Sequence, residues 1–200
     1  MLKKHYRKLV LTISALMLTT TTTFAYTDDT SIIGGLDRDT DAYSYLNMYN
    51  YHLYRTNDKY LYGSVDNQVI IRISDRGNIT DIFILGGDYA TNKGVKVGDT
   101  VQDIINAYGP AYDSTNPQNW HKSEEANTGE IIKYDSPWAQ KKGISGYIEF
   151  EYKDYRNSGL SFIVNKYTQK VVLIRYNSDR HGSSQGVPAA SYYCLIPWLE

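Results

Sequence analysis

The sequence predicts an α+β fold: two degenerate repeats of a helix followed by an antiparallel meander, building one sheet with the helices on one face. Three observations lead there. A fully punctuated amphipathic helix lies mid-chain, a worn copy of it lies 59 positions upstream, and each is followed by segments that read as strand, polar turn, strand.

The mid-chain helix is written in GVKVGDTVQDIINAYGP, residues 94–110. Val101, Ile104, Ile105 and Tyr108 recur at i, i+3, i+4 and i+7, one apolar stripe on a helix. Thr100 and Asp103 have the spacing of a capping box, and Asp99 places negative charge at the positive end of the helix dipole. Gly109 and Pro110 end the helix, and Gly94 and Gly98 frame the turn before it. Sliding this segment back by 59 positions puts Gly94 on Gly35, Asn106 on Asn47 and Tyr108 on Tyr49. The stripe then falls on Ala42, Tyr45, Leu46 and Tyr49, with Asp41 as N-cap. Asn50 takes the place of Gly109, since asparagine also tolerates the left-handed conformation.

Strands follow each helix. Residues 69–85, VIIRISDRGNITDIFIL, and 159–177, GLSFIVNKYTQKVVLIRYN, are expected as hairpins, each preceded by a further strand at 60–65 or 146–154. In the latter, Ile148, Phe150 and Tyr152 alternate with Glu149, Glu151 and Lys153, the pattern of a sheet with one wet face. Repeat one is expected at about 35–88 and repeat two at about 94–177, the second carrying a polar, turn-rich insert at 111–145. Within that insert, EIIKYD has the composition of one more strand.

The first 25 residues have the order of a secretory signal peptide: Lys3, Lys4, Arg7 and Lys8, the apolar run LVLTISALML, then small residues to Ala25. Residues 26–180 are expected as a single domain and 181–200 as a linker with an apolar tail. Export follows, to the extracellular space, periplasm or cell envelope, with no membrane span. No lipidation is expected, because the lone cysteine, Cys194, is far from the cleavage point. One cysteine cannot form an internal disulfide, so a hydrophobic core has to hold the roughly 175 remaining residues. Removing the leader takes four basic residues and no acidic one, so the net charge of −1 becomes −5. That excess excludes nucleic acid as an expected partner, since phosphate recognition needs a basic surface. Twenty tyrosines against four phenylalanines fit half-buried strands, and tyrosine also supplies rigid contact area in binding surfaces.

Motifs that would carry chemistry fall short of their requirements. Asp37, Asp39 and Asp41 begin like a calcium loop, but Ala42 and Met48 stand where that loop needs glycine and glutamate. Ser184 lies in a literal G-x-S-x-G without the strand and helix a nucleophile elbow requires. His52, His121 and His181 are widely separated, and no metal-ligand spacing occurs. No cofactor, metal or catalytic residue is expected. The candidate partner-binding residues are Trp120, His121, Tyr134 and Trp138 of the insert, weighed against plain exposed loop.

The run GVKVGDTVQDIINAYGPAYD resembles a signature of small exported bacterial proteins, the beta-lactamase-inhibitor-protein-like and SmpA/OmlA-like group, together with secreted Firmicutes proteins carrying the same motif. The resemblance implies helices paired with an antiparallel sheet, often in tandem copies, and a binding or envelope-associated role. The chain departs from these groups in lacking both an internal disulfide and a lipidated N-terminal cysteine. The expected function is therefore a non-catalytic binding module whose partner is a protein or glycan of the cell envelope. A hydrolase acting on cell-wall or glycan material and a stalk-like segment of a surface assembly stand as alternatives. Oligomeric state is not legible.

Overall fold

In a computed structural model, which describes residues 40–55, 58–113, 116–118, 129–153 and 159–177, three short helices accompany nine strands. Along the chain these are α1 (Ala42–Met48), β1 (His52–Arg55), β2 (Asp58–Gly63), β3 (Val69–Ile73), β4 (Ile79–Ile84), α2 (Val101–Tyr108), β5 (Ala111–Asp113), β6 (Gly129–Lys133), α3 (Pro137–Lys141), β7 (Tyr147–Lys153), β8 (Gly159–Asn165) and β9 (Lys170–Asn177). All nine strands form a single sheet in the order β1-β2-β3-β4-β9-β8-β7-β6-β5. Neighbours are antiparallel except β5 and β6, which run parallel, so the sheet is mixed and the class is α+β. Each strand expected from the sequence is present; β1, β5 and α3 are additional.

The two hairpins owe their sharp reversals to local chemistry. In the β3–β4 turn Gly77 adopts φ +78°, a left-handed conformation that glycine reaches without a Cβ penalty, and its amide donates to the Ser74 carbonyl. In the β8–β9 turn the Asn165 side chain accepts from the Tyr167 and Thr168 amides, an Asx-type closure.

Helix α2 forms as its sequence dictates. The Thr100 hydroxyl accepts from the Asp103 amide while the Asp103 carboxylate accepts from the Thr100 amide at 2.9 Å, a complete capping box. Gly109 ends the helix at φ +94°. Helix α1 is weaker at its start, for the Asp41 carboxylate accepts from the Ser44 hydroxyl at 2.7 Å and caps no backbone amide. Asn50, at φ 55°, does take the left-handed conformation beyond it.

Strand periodicity separates two cores on opposite faces of the sheet. On one face Ala42 and Leu46 of α1 and Ile104 and Tyr108 of α2 pack over Ile71, Ile82, Phe162 and Ile174. The Tyr108 ring sits 5.1 Å from Phe162 and 5.5 Å from Tyr152, whose hydroxyl donates to the Gly109 carbonyl at 2.9 Å. On the other face Ile70, Phe83, Ile163 and Leu173 meet Tyr134, Ala139 and Ile144. The expectation of helices on one face holds for α1 and α2 and fails for α3. Its Ala139 turns inward onto the second face, a placement that the polar composition around it conceals. The matched stripe also divides: α2 buries Ile104 and Tyr108, whereas α1 buries Ala42 and Leu46 and leaves Tyr45 half-buried against the core and Tyr49 exposed.

Strands β4 and β9 form the seam joining the two meanders. Across it the buried Asp81 carboxylate accepts from Arg175 Nη2 at 2.8 Å, Arg175 Nε at 3.1 Å and Asn177 Nδ2 at 2.9 Å. Among the described residues, no helix is long and apolar enough to cross a membrane.

Two substitutions test this packing by urea denaturation. A Cβ at Gly129 would lie 2.5 Å from Cε1 of the buried Tyr152 ring, so Gly129→Ala is expected to cost about 1–3 kcal/mol. Thr100→Ala removes the capping box and should cost about 1 kcal/mol. A Gly129→Ala chain as stable as the parent would show that Tyr152 is not fixed where the ring contacts place it.

Candidate functional site

The C-terminal end of α1, the β2–β3 turn and the segment after β4 enclose a cavity of about 360 Å³. Tyr45, Tyr49, Tyr51 and Tyr89 wall it, together with Ser64, Val65 and Asp66. Local sequence explains the placement. One helical turn separates Tyr45 from Tyr49, so their rings meet at 4.6 Å, and the reversal at Asn50 brings Tyr51 back to 5.9 Å from Tyr45. Such tilted aromatic pairs are favourable because the positive edge of one ring approaches the negative face of the next. Tyr49 remains 50% exposed and Val65 73% exposed at the rim.

The β2–β3 turn fixes the carboxylate of the pocket. Asp66 Oδ1 accepts from the Ser64 hydroxyl at 2.6 Å and from the Gln68 amide at 3.1 Å, while Ser64 Oγ accepts from the Val69 amide. The Ser64 hydrogen bond, followed by those of the backbone and of Tyr89, holds the Asp66 carboxyl below the usual carboxylate range. Burial raises the phenols of Tyr45, Tyr51 and Tyr89 above their ordinary value, and neighbouring phenols or the Asp66 charge add to the effect. At neutral pH the site is therefore a set of neutral aromatic rings beside one ionised carboxylate. The described lining contains no lysine, arginine or histidine.

A second cluster lies on the opposite face. Strand alternation aligns Glu149 with Ile163 and Glu151 with Ser161, and it gave the expectation of a wet surface there. Instead Glu149 is only 6% exposed, and the Tyr134 hydroxyl donates to its Oε2. The reason is the cover supplied by Tyr134, Ala139, Ile144 and Tyr147, which pack over this part of the sheet. Burial pushes the Glu149 carboxyl up; hydrogen bonds from Ser161 and Tyr134 oppose this, the Glu151 charge adds to it, and Arg175 opposes it.

Of the expected contact residues, Tyr134 is 7% exposed and serves as a lid on Glu149, so its ring offers little area to a partner. Trp138 lies within α3. Trp120 and His121 fall outside the described residues, as do Asp37, Asp39, Ser184, Cys194, the leader and the tail. The motif residues Gly94, Gly98, Asp99, Thr100, Tyr108, Gly109 and Pro110 do structural work. Gly98 and Asp99 exchange backbone hydrogen bonds with Val171 of β9, and the Asp99 carboxylate accepts from the Lys96 amide. Among the described residues no three of His, Cys, Asp or Glu gather as a metal site. The tyrosine pocket was missed because its walls come from three separate segments. Its only sequence signal is the density of tyrosine at 45, 49 and 51.

Because the native state holds the Glu149 proton to higher pH than an unfolded chain does, the stability from this group is complete below the unfolded value. It is lost as pH rises through the folded one. Glu149→Gln is thus expected to raise the melting temperature at about pH 8 and to change it little at about pH 4, where an ordinary carboxyl is largely protonated. Equal effects at both pH values in thermal denaturation would mean that Glu149 is ionised throughout.

No protein-family model, curated protein or solved structure matches the chain, so the geometry above carries the functional reading.

Proposed function

We propose that the chain is an exported, non-catalytic binding module of the cell envelope or extracellular space, and that the tyrosine pocket is its ligand-contact surface. The observation that carries this reading is a cavity of about 360 Å³ walled by four tyrosines and one pre-oriented carboxylate. Aromatic side chains supply large contact area at low conformational cost, and Asp66 is held by its own turn before any ligand arrives. A leader of signal-peptide type supports export. Two helix-plus-meander repeats, as in the beta-lactamase-inhibitor-protein-like and SmpA/OmlA-like proteins the α2 segment resembles, remain our proposal for the architecture. The order of strands about the β4–β9 seam supports it.

A hydrolase is the second reading, favoured by Glu149 and its neighbour Glu151. A carboxyl whose pKa is raised by burial is the kind of group general acid catalysis uses. Against it, Glu149 is covered by Tyr134 and Ile144, leaving a substrate no route to the carboxyl.

The binding reading is tested with the full chain carrying ¹³C-labelled tyrosine, titrated with saccharides and peptides prepared from cell envelopes. The ring resonances of Tyr45, Tyr49, Tyr51 and Tyr89 should shift with a ligand, and Val65→Asp at the exposed rim should weaken the shifts while leaving the melting temperature close to the parent's. Turnover of any preparation that is lost in Glu149→Gln would replace the binding reading with the hydrolase.

A further inference from the structure

We propose that the tyrosine pocket selects an alkylated ammonium group, a small organic cation of the choline type, with the rings as its walls and Asp66 as counter-charge. The inference deepens the binding reading and rests on it.

Charge and surface chemistry narrow the occupant. Tyr45, Tyr49, Tyr51 and Tyr89 line a half-open cleft of about 360 Å³, and the faces of aromatic rings attract positive charge. Burial holds the phenols of Tyr45, Tyr51 and Tyr89 above their ordinary value, which leaves Asp66 as the anion of the lining. A carboxylate ligand would meet Asp66 with no lysine, arginine or histidine among the described lining residues to balance it. The −5 balance of residues 26–200 adds a long-range field that draws cations toward the molecule.

The walls also discriminate among cations. A primary ammonium carries three strongly hydrated N–H donors, each needing an acceptor if it is stripped of water. Here Asp66 Oδ1 already accepts from Ser64 and Gln68. An alkylated ammonium has no such donors and presents methyl groups to the rings, so it loses less on entering an aromatic cavity. The rings of Tyr45, Tyr49 and Tyr51 pack against one another at 4.6 and 5.9 Å with tilts of 41° and 53°, so they form one continuous aromatic wall for a compact cation to pack against, with Asp66 in the same lining.

The test uses the labelled full chain and three probes: choline chloride, its neutral isostere 3,3-dimethylbutan-1-ol, and butylammonium chloride. Choline is expected to shift the resonances of the four pocket tyrosines and to bind at least about tenfold more tightly than the isostere. Butylammonium should also bind more weakly than choline. Asp66→Asn should reduce choline affinity about five- to tenfold and leave the isostere unaffected, with raised salt acting in the same direction. Tyr49→Phe keeps the ring and should retain choline, whereas Tyr49→Leu should weaken it about threefold or more. Equal binding of choline and the isostere, tighter binding of butylammonium, or choline affinity unchanged in Asp66→Asn overturns the cation assignment. Any of these results leaves the pocket standing as a binding site if another ligand still shifts its tyrosines. A pocket that responds to no probe and no envelope preparation overturns both readings.

Discussion

The antiparallel pairing of β4 with β9 is the constraint on which the rest of the molecule depends. Remove it and the nine-stranded sheet becomes two smaller ones, with β4 and β9 as their bare edges. Side-chain chemistry reinforces the ladder at this line. A buried carboxylate is tolerated only where donors replace its lost water, and Asp81 has three nitrogen donors from Arg175 and Asn177 on one oxygen. Because Arg175 and Asn177 lie 94 and 96 positions from Asp81 in sequence, the pairing joins the N-terminal and C-terminal meanders directly. The aliphatic residues beside it, Ile82, Ile84 and Ile174, lie on the face covered by α1 and α2.

The tyrosine pocket belongs wholly to the N-terminal half of this sheet, at the outer corner where α1 meets the β2–β3 turn. Among the described residues, none of its lining comes from the C-terminal meander. The carboxylate of Asp66 is positioned by hydrogen bonds within five residues of chain, from Ser64 to Gln68. The rings, by contrast, are brought together by the helix stop at Asn50 and by the backbone after β4. A site built this way has a rigid polar point and an aromatic wall whose members touch one another. The opposite face, where Tyr134 closes on Glu149, has the reverse character: its polar group is buried under cover and is part of the packing.

How far the sequence revealed this depends on the range over which each feature is encoded. Helix α2 was legible because Thr100, Asp103, Gly109 and the stripe between them are local. The hairpins at 69–85 and 159–177 were legible because isoleucine- and valine-rich runs flank unmistakable turns. Strand β5, three residues long, exists through its parallel pairing with β6 and leaves no local trace. Helix α3 carries a start signal, Ser136 accepting from the Ala139 amide and Pro137 at the first helical position, but at five residues is too short to show an apolar period. Alternation at 147–153 correctly assigned Glu149 to the face opposite Phe150, yet it could not reveal that the face is covered. Cover is supplied by Tyr134 and Ile144 from the insert, and such long-range packing is invisible to periodicity. The same limit hid the pocket.

The position of β9 has a consequence for how the chain reaches this structure. Among the described residues it is the last strand in sequence, and it lies in the middle of the sheet, between β4 and β8. Until residues 170–177 are in place, both of those strands present unsatisfied edges, and β4 and β8 are among the most completely buried strands of the fold. Apolar open edges are the surfaces through which chains associate wrongly. Closure of such distant partners is also slow, because the entropy of a long loop is lost before the contacts form. The sheet is thus completed from its centre, and any partner that keeps the chain extended until β9 is available protects it when it is most prone to aggregate.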